Sequence, residues 1–464
     1  MDTIIQDFAE DVSTKLRKML ENIMSGSNEG ISALVTLLKE ELDKLGTELC
    51  RYFIEAADEI IKESSKRQKE WVVERSNDQK TLATVFGKVK YERTYYKSKG
   101  DKGYRHLVDD RLGIKPHQRM DSSLEAKLVN EASNNSYAKV GKQAVNSLKI
   151  SDQTVMNKIR KLEKIENNLL DDNKEKREVK CLYVEADEDH VALQNGENAL
   201  PKLVYIHEGK DKNGSKNKLK NKHYFTGVYK ETDELWIEVL DYIDANYKID
   251  ELEKIFIAGD GASWIKKGLD WLPKSKYILD KYHLNKYVLR ATGHAKKLRF
   301  KLWEGLNNLD KDLVGETFSE IMAKTEKESK KKAIRKSRNY IYSNWDGIRN
   351  YYQDQDAVGC SAEGHISHVL ADRLSSRPRG WSKIGVDQMA RLRAFKYNGG
   401  DRNKLQELII DKKRVERKEK VLSRIESKVV NSKLKKKFAE PKQNIPAIRL
   451  GKSTGLFKVL KSFR

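Results

Sequence analysis

The chain has 464 residues, of which 38% are hydrophobic, and carries a formal net charge of +22. This length allows two to four domains, and the apolar content is sufficient for a sizeable core. The three cysteines, Cys50, Cys181 and Cys360, are far apart and form no CxxC pair, which excludes a zinc ribbon or a disulfide framework.

No apolar run approaches the ~20 residues needed to cross a bilayer, and the N-terminal sequence is acidic and amphipathic, unlike a signal peptide. We therefore expect a cytoplasmic, nucleoid-associated protein with no membrane partner. The basic excess suits a polyphosphate partner, because Lys and Arg displace the counterions condensed on DNA.

Residues 1–75 are predicted to be helical. Apolar residues recur at helical spacing from Ile4 to Leu16 and again, after the break SGSNEG, from Ile31 to Ile61. Packing within the same chain is the favoured explanation of these stripes, and a contact between two copies is the alternative. We expect a homo-oligomer.

Residues 76–165 are predicted to form a β-hairpin followed by a helix-turn-helix DNA-binding region. The hairpin is indicated by alternation, with Val89, Tyr91, Arg93 and Tyr95 on one face. In the last helix Ser151 is a plausible N-cap, and Val155, Ile159 and Leu162 form the inward stripe. The polar residues left on the outward face are candidates for major-groove contacts: Gln153, Thr154, Asn157, Lys158 and Lys161.

Residues 175–400 are predicted to form an α/β catalytic domain. Its first strand lies in VKCLYVEADEDHVALQ, where alternation puts Cys181, Tyr183, Glu185, Asp187 and Asp189 on one face. The segments KLVYIHEG and HYFTGVYK are predicted as the second and third strands, and TDELWIEVLDYIDANY as a crossover helix.

The fourth strand is KIFIAG, which leads into Gly259-Asp260-Gly261 and then into helical spacing through Trp264, Leu269 and Leu272. Asp260 is therefore expected at the carboxyl end of a strand. Three strands, a helix, a fourth strand and further helices are typical of an RNase H-like arrangement.

A helical insertion is predicted at about 291–356, with the basic run KTEKESKKKAIRKSR and with Trp303 and Trp345 as apolar anchors. After it, Glu363 heads a helix in which Ile366, Leu370 and Leu374 follow at helical spacing, so Glu363 is expected on the core-facing side. Residues 401–464 are predicted to be a basic tail that contacts phosphates without sequence preference.

Asp187, Asp260 and Glu363 are the acids that a two-metal phosphoryl-transfer site requires, set on a strand, a strand end and a helix. Carboxylate oxygens suit Mg²⁺ or Mn²⁺, and a pair of such ions activates a nucleophile and stabilises the leaving oxygen of an in-line displacement. These residues therefore predict a metal-dependent enzyme that acts on nucleic acid.

Four stretches of the chain carry a family resemblance: YVEADEDHVALQ, IFIAGDGASWI, YILDKYHLNKYV and SAEGHISHVLADRLSSRPRGWS. They resemble DDE transposases of bacterial insertion sequences, a group formerly classed as an uncharacterised protein family and related to the mutator-like superfamily. The resemblance covers nearly the whole chain.

The resemblance implies that Asp187, Asp260 and Glu363 form the catalytic, metal-binding triad with Mg²⁺ or Mn²⁺ as cofactor, and that the helical insertion helps to hold double-stranded DNA. The family often has Asp-Gly where this chain has Asp187-Glu188, which leaves Asp189 and Glu185 as alternatives that could share the first ligand position.

Asp280 and His283 resemble the Asp-x-x-His signature of mutator-like transposases. A structural histidine and a direct catalytic role for His283 are both open, and a hydrogen bond near the scissile phosphate is compatible with either. A DNA nuclease of the same fold that joins no strands, and a DNA-binding regulator derived from a transposase, are the alternative functions.

Overall fold

The computed structural model describes residues 2–27, 30–100, 103–167, 175–210, 218–376 and 380–411. The described residues divide into two compact units. The first comprises those within Met1–Lys161 and Asp401–Leu422, and the second those within Leu162–Gly400 and Ser423–Arg464. Most of the predicted basic tail, residues 412–464, lies outside the described residues, whereas residues 402–411 are helical.

The first unit combines helices with a three-stranded antiparallel sheet of order β1-β2-β3. Its elements are α1 (Asp2–Met24), α2 (Ile31–Glu63), α3 (Ser65–Glu70), β1 (Trp71–Ala83), β2 (Lys88–Ser98), β3 (Tyr104–Arg105), α4 (Leu107–Leu112), α5 (Ser122–Ala132), α6 (Tyr137–Gln143) and α7 (Asp152–Arg160). The long hairpin begins at Trp71, five residues earlier than the boundary taken from the sequence.

The hairpin alternation continues only through the first half of β2. Val89 and Tyr91 are buried as expected, but Thr94 and Tyr96 are buried as well. Thr94 is covered because its backbone N–H and its hydroxyl both donate to Oδ2 of the buried Asp58 in α2, at 2.8 and 2.7 Å. A helix therefore covers this end of the strand, which residue alternation alone did not indicate.

The three short helices α5 to α7 begin at side-chain caps. Asp121, Ser136 and Ser151 each accept a hydrogen bond from a backbone N–H of the first turn, which satisfies groups that the helix leaves unpaired. In α7, Val155 and Ile159 are buried as predicted. The helix ends at Arg160, so Leu162 lies beyond it and is not part of the helical stripe.

The second unit is a mixed α/β structure. Its elements are β4 (Cys181–Glu188), β5 (Val191–Ala192), β6 (Asn198–Ala199), β7 (Lys202–His207), β8 (His223–Gly227), α8 (Thr232–Asn246), β9 (Lys254–Gly259), α9 (Ser263–Lys266), α10 (Gly268–Trp271), β10 (Ser275–Leu279), α11 (Lys281–Thr292), α12 (Lys296–Asn307), α13 (Lys311–Ala323), α14 (Glu328–Ser343), α15 (Trp345–Gln353), α16 (Ala362–Ile366) and α17 (Lys383–Tyr397). A π-helical segment, Ser367–Ala371, directly continues α16.

Five strands of this unit form one sheet of order β10-β9-β4-β7-β8. β9 pairs in parallel with both β4 and β10, while β4 with β7 and β7 with β8 are antiparallel. Leu182, Val184 and Ala186 of β4 enter the main hydrophobic core with Trp236 and Val239 of α8. The opposite face of the sheet therefore carries the odd-numbered residues of β4, which include both Glu185 and Asp187.

Helices fill the chain between β10 and α16, from α11 to α15. The helical spacing predicted after Asp260 is broken into the short helices α9 and α10, and Leu269 is exposed rather than buried. Trp345 is buried in the main core, and Trp303 packs against it half-buried, so both tryptophans serve as apolar anchors. Among the described residues, no helix is both long and apolar enough to cross a membrane.

Candidate active site

Asp187 and Asp260 lie at the ends of two neighbouring parallel strands. In the register of β4 with β9, Glu185 pairs with Ala258. Two residues further on, Asp187 and Asp260 therefore lie level with each other, because paired strands keep their register and are about 4.8 Å apart. The parallel direction of β4 and β9 thus brings together two acids that are far apart in the sequence.

Two glycines beside Asp260 allow this close approach. A Cβ atom on Gly259 would lie 2.7 Å from the carbonyl oxygen of Ala186, so any larger residue would push β9 away from β4. Gly261 has a φ of +93°, which favours glycine, and a Cβ there would lie 2.4 Å from Oδ1 of Asn344. The Gly-Asp-Gly sequence therefore positions the acid through the backbone on both sides.

Glu363 lies in the first turn of α16, a helix that packs against β4. Ile366, Leu370 and Leu374 are buried as the helical spacing predicts. Glu363 is exposed, however, so the expectation that it shares their core-facing side was wrong. In the first turn of α16 the buried residue is Ala362, and Glu363 points away from the core.

Asp187 experiences the negative charges of the other two predicted acids. Burial, followed by the negative charges of Asp260 and Glu363, raises the pKa of the Asp187 carboxyl to about 6, while His283 acts in the opposite direction. One Asp187 oxygen accepts a hydrogen bond from the backbone N–H of Glu188 at 2.8 Å. The fold therefore concentrates negative charge at the ends of β4 and β9.

Asp280 and His283 form a hydrogen-bonded pair at the start of α11. The Nδ1 atom of His283 lies 2.8 Å from Oδ2 of Asp280, and Oδ1 of Asp280 caps the helix by accepting from the N–H of Tyr282. A carboxylate can only accept, so Nδ1 carries the proton and the other ring nitrogen, Nε2, is left to act elsewhere. The hydrogen bond to Asp280 raises the pKa of His283, and the charges of Asp187 and Asp260 add to this effect.

Glu185 has a structural arrangement unlike that of a metal ligand. It is 2% exposed and lies 3.0 Å from Nε2 of His207. It also accepts hydrogen bonds from the Tyr205 hydroxyl, from the backbone N–H of Ser361 and, at 3.1 Å, from the Ser361 hydroxyl. Burial by itself raises the pKa of the Glu185 carboxyl, but the hydrogen bond and charge of His207, together with the hydrogen bonds from Tyr205 and Ser361, hold the pKa below its usual range.

Asp189 lies beyond the end of β4 and is 7% exposed. Its Oδ1 accepts from the backbone N–H of His190 at 2.9 Å, and burial raises the pKa of its carboxyl. The charges of Asp260 and Glu363 act on Asp187, whereas those described at Asp189 come from His190. Of the carboxyls of Asp187, Asp189 and Glu185, that of Asp187 is the one whose pKa is raised by the charges of both other predicted acids.

The predicted DNA-contacting residues of α7 differ in their surroundings. Gln153 and Asn157 are exposed and joined by a side-chain hydrogen bond of 3.2 Å. Thr154 takes part in the helix cap with Ser151, and Lys158 forms an ion pair of 2.9 Å with Glu125 of α5. Lys161 is exposed just after the last helical residue. Gln153 and Asn157 are therefore the two of these side chains that the helix presents most openly.

A basic face of α14 borders a cavity of about 780 Å³ between α13 and α14. Lys331, Arg335 and Arg338 line it, and their i, i+4, i+7 spacing places them on one side of the helix. Further along α14, the Tyr340 hydroxyl donates to the carbonyl oxygen of Asp260. The helix that carries the basic face is thus joined directly to the turn that holds the second acid.

Asp187, Asp260 and Glu363 could offer a metal ion carboxylate oxygens, which are the ligands that hard divalent cations prefer. The charges acting on the half-buried Asp187 come from two further carboxylates and one histidine. Among the described residues, however, no three or more His, Cys, Asp or Glu side chains are grouped so that they could hold a metal ion.

Sequence reasoning predicted the acids and the Asp280–His283 pair as site residues but did not indicate the side chains that form hydrogen bonds around them. Tyr205, His207 and Ser361 surround Glu185, and Tyr340 holds the Asp260 turn. The only sequence signal for Ser361 was its position directly before the helix of Glu363. Alternation places Tyr205 and His207 on the same face of β7. A single sequence does not show that β7 pairs with β4, so it does not show that these two residues lie beside Glu185.

The chain is similar over its whole length to proteins without an assigned activity. Two UPF0236 proteins of Caldanaerobacter subterraneus subsp. tengcongensis are each 44% identical, over 100% and 99% of this chain and 97% of each relative. A third, a UPF0236 protein of Streptococcus gallolyticus named for its position in the vanSb 3′ region, is 28% identical over 71% of this chain and 75% of its own length.

The family occurs in many copies within one genome. The name of one Caldanaerobacter relative joins eleven gene designations, and that of another joins four. The profile of the uncharacterised protein family UPF0236 matches residues 27–412 of this chain, a range that contains both the three acids and α7. The chain therefore belongs to the uncharacterised protein family UPF0236.

Proposed function

We propose that this protein is a DDE transposase, which cleaves DNA at the ends of a mobile element and joins those ends to target DNA. The observation that carries the proposal is the pKa of Asp187, raised to about 6 by burial and by the charges of Asp260 and Glu363. Asp187 and Asp260 lie at the ends of two adjacent strands, and the charge of Glu363, on a helix that packs against the first of them, also acts on Asp187. That arrangement fits phosphoryl transfer with divalent cations better than it fits a structural role.

The sheet supports an RNase H-like assignment for the second unit. Three consecutive antiparallel strands, a crossover helix and two further parallel strands give the order β10-β9-β4-β7-β8. The first acid is then at the end of the central strand, and the second is on the strand beside it. The acids thus occupy the carboxyl ends of parallel strands, where open α/β sheets bind their ligands.

Asp187, Asp260 and Glu363 would hold Mg²⁺ or Mn²⁺. Bound there, the cations would supply an activated nucleophile and stabilise the charge that develops on the leaving oxygen. The protein itself contributes the placement of its carboxylates through Gly259 and Gly261. Its His283 is held by Asp280 through Nδ1, and in the protonated ring Nε2 can donate a hydrogen bond to a phosphate oxygen near the acids.

DNA binding is supported by the charge of the chain and by two surfaces. The basic face of α14 offers Lys331, Arg335 and Arg338 for phosphate contacts, and it lies on a helix connected to the Asp260 turn. In the first unit, Gln153 and Asn157 of α7 present amide groups, which can read base edges in a major groove. We propose that α7 recognises the element ends.

The copy number of the relatives also supports mobility. A transposase gene multiplies when its element inserts at new sites, and one Caldanaerobacter relative bears eleven gene designations. We therefore expect the gene of this chain to be flanked by terminal inverted repeats and short target duplications. Their consistent absence from the flanks of close relatives would count against transposition.

The decisive experiment uses labelled duplexes that carry the DNA flanking the gene. Asp187→Asn, Asp260→Asn and Glu363→Gln should each reduce cleavage and joining by at least ~10³-fold while DNA binding stays near the wild-type level. Asp189→Asn is the matched control and should retain substantial activity. An active Asp187→Asn protein would remove Asp187 from the site.

The same assay separates the transposase from a nuclease of the same fold. Cleavage should require Mg²⁺ or Mn²⁺ and should fail with Ca²⁺, because the longer bonds and looser shell of Ca²⁺ misalign the reacting atoms. Joining of the cleaved end to target DNA supports transposition. Cleavage without any joining under Mn²⁺ would assign the protein to the nucleases, and cleavage in chelator would refute the metal site.

A further inference from the structure

The long helix α2 exposes a continuous apolar stripe. Five large side chains lie on it with high exposed fractions: Ile31 73%, Val35 59%, Leu42 53%, Phe53 64% and Ile60 71%. At about 100° per residue, all five fall within an arc of roughly 40°. The half-buried Leu38, Leu49 and Ala56 extend the same stripe. Among the described residues none covers these five side chains, although α2 packs elsewhere on α1 and on the hairpin.

The stripe is symmetric about its midpoint. Its members pair as Ile31 with Ile60, Val35 with Ala56, Leu38 with Phe53 and Leu42 with Leu49, and each pair is centred between Leu45 and Gly46. An antiparallel contact between two identical helices requires this property, because residue i of one copy then meets residue j of the other, and j meets i. If another segment of the same chain packed on the stripe, the stripe would not need to be symmetric.

A further apolar side chain borders the midpoint of the stripe. Gly46 has no side chain, and the ring of Phe86 packs directly against it, where a Cβ would lie 2.6 Å from the ring. Phe86 is 40% exposed and so adds apolar surface next to the centre of the stripe. The spacings of four and three residues along the stripe are those that pack helices as knobs into holes.

We propose that α2 is the interface between two copies of this chain, which pair antiparallel about a two-fold axis at Leu45 and Gly46. The contact would be about 44 Å long, and with a width of roughly 15 Å it would bury on the order of 700 Å² on each copy. That area approaches the ~800 Å² per partner of stable protein complexes. The dimer does not depend on the proposed activity, although a protein that holds two DNA ends together has a use for it.

The first test measures the mass of the full-length protein by sedimentation velocity at about 10 µM. The wild type should sediment as a dimer, and Leu42→Glu combined with Phe53→Glu should weaken association by on the order of 100-fold or more, because charge would be buried in the contact. Both positions are exposed in one copy, so the variant should keep the wild-type circular dichroism spectrum. Phe300→Glu, at a site 81% exposed in the second unit, is the matched control and should remain dimeric.

The second test fixes the register by disulfide trapping in a chain whose three native cysteines are replaced by alanine. Leu42→Cys with Leu49→Cys in one chain should give a covalent dimer on oxidation, because each cysteine then faces its counterpart in the other copy. Leu42→Cys alone should not, because two such residues would be separated by about 10 Å along the helix axis, beyond disulfide reach.

A monomeric wild type would overturn the proposal, including the case in which residues 412–464 of the same chain cover the stripe. A dimer that survives Leu42→Glu with Phe53→Glu would overturn it as well. Ready cross-linking of Leu42→Cys alone would show parallel pairing and refute the two-fold arrangement. None of these readouts measures DNA cleavage, so a failed dimer and a failed transposase assignment remain distinguishable.

Discussion

Glu185 of β4 accepts a hydrogen bond from the backbone N–H of Ser361, two residues before Glu363. The Ser361 hydroxyl donates to the same carboxylate at 3.1 Å and lies 2.9 Å from the hydroxyl of Tyr205. The strand that carries Asp187 is therefore connected by a buried polar network to the helix that carries Glu363. Glu185, which sequence reasoning left as an alternative ligand, thus joins β4 to the residue two positions before Glu363.

This connection predicts a specific defect in Ser361→Ala. Loss of the hydroxyl should cost about 1 kcal/mol of folding free energy and should let the start of α16 shift, since one of its ties to β4 is gone. The Mg²⁺ concentration that gives half-maximal cleavage should rise several-fold, because Glu363 is held less well. Ser343→Ala, which removes a hydroxyl from the exposed end of α14, is the control. An unchanged Mg²⁺ requirement in Ser361→Ala would leave Glu185 with a stabilising role alone.

The elements of this site were predictable from the sequence to different degrees. Asp260 was identified because an apolar strand ends in Gly-Asp-Gly, and its two glycines prove to be needed for backbone approach and a positive φ. Asp187 and Glu185 share one face by alternation, but which of the two is satisfied by His207 depends on the pairing of β4 with β7. Local periodicity carries no information about such long-range pairing.

The same limit explains the errors elsewhere in the fold. Thr94 and Tyr96 are buried because α2 crosses their strand, a tertiary contact that overrides alternation. Glu363 was placed on the core side because helical spacing was extended to the first turn of the helix, whereas Ala362 is the residue of that turn that is buried. Lys158 is predicted to contact DNA, and its ion pair with Glu125 of α5 is a further tertiary contact that helical spacing did not indicate.

A second prediction concerns Asp187→Asn in the absence of divalent cations. The folded-state pKa of Asp187 is raised to about 6 from the ordinary aspartate value of 3.8, so folding favours the protonated form and is penalised when the group ionises. The stability linked to this group is fully present below pH ~4 and is lost as the pH rises through about 6. At pH 7.5, Asp187→Asn should therefore be more stable than the wild type by about 1–3 kcal/mol.

The measurement is urea unfolding in chelator at pH 7.5 and at pH 4. The difference between Asp187→Asn and the wild type should shrink at the lower pH, where both side chains are neutral. Glu166→Gln provides a distant control for the loss of one acid. Adding Mn²⁺ should stabilise the wild type and leave Asp187→Asn nearly unchanged, a readout independent of cleavage. Equal stability of the two proteins at pH 7.5 would show that Asp187 is not under electrostatic strain.

A third prediction separates the two kinds of residue on α7. Asn157→Ala should reduce the preference for element-end DNA over random DNA by about 1–3 kcal/mol, since its exposed amide can reach a base edge. Lys158→Ala should change this preference little and should instead lower stability by up to about 1 kcal/mol, because its ion pair with Glu125 is removed. Competition binding with both DNAs measures the selectivity, and a thermal melt measures the change in stability. Unaltered selectivity after replacing both Gln153 and Asn157 would remove α7 from end recognition.

The last prediction tests the basic face of α14. Lys331→Ala, Arg335→Ala and Arg338→Ala together should weaken binding to element-end and random DNA about equally, because phosphate contacts carry no sequence information. The slope of log K against log salt concentration should become shallower by up to about 3, in proportion to the number of phosphates that the variant no longer neutralises. The charge-matched control replaces Lys330, Lys332 and Lys336, which lie on other sides of the same helix and remove the same three charges. If both triple variants changed the slope equally, the effect would come from net charge, and the face toward the cavity would not be the DNA-binding surface.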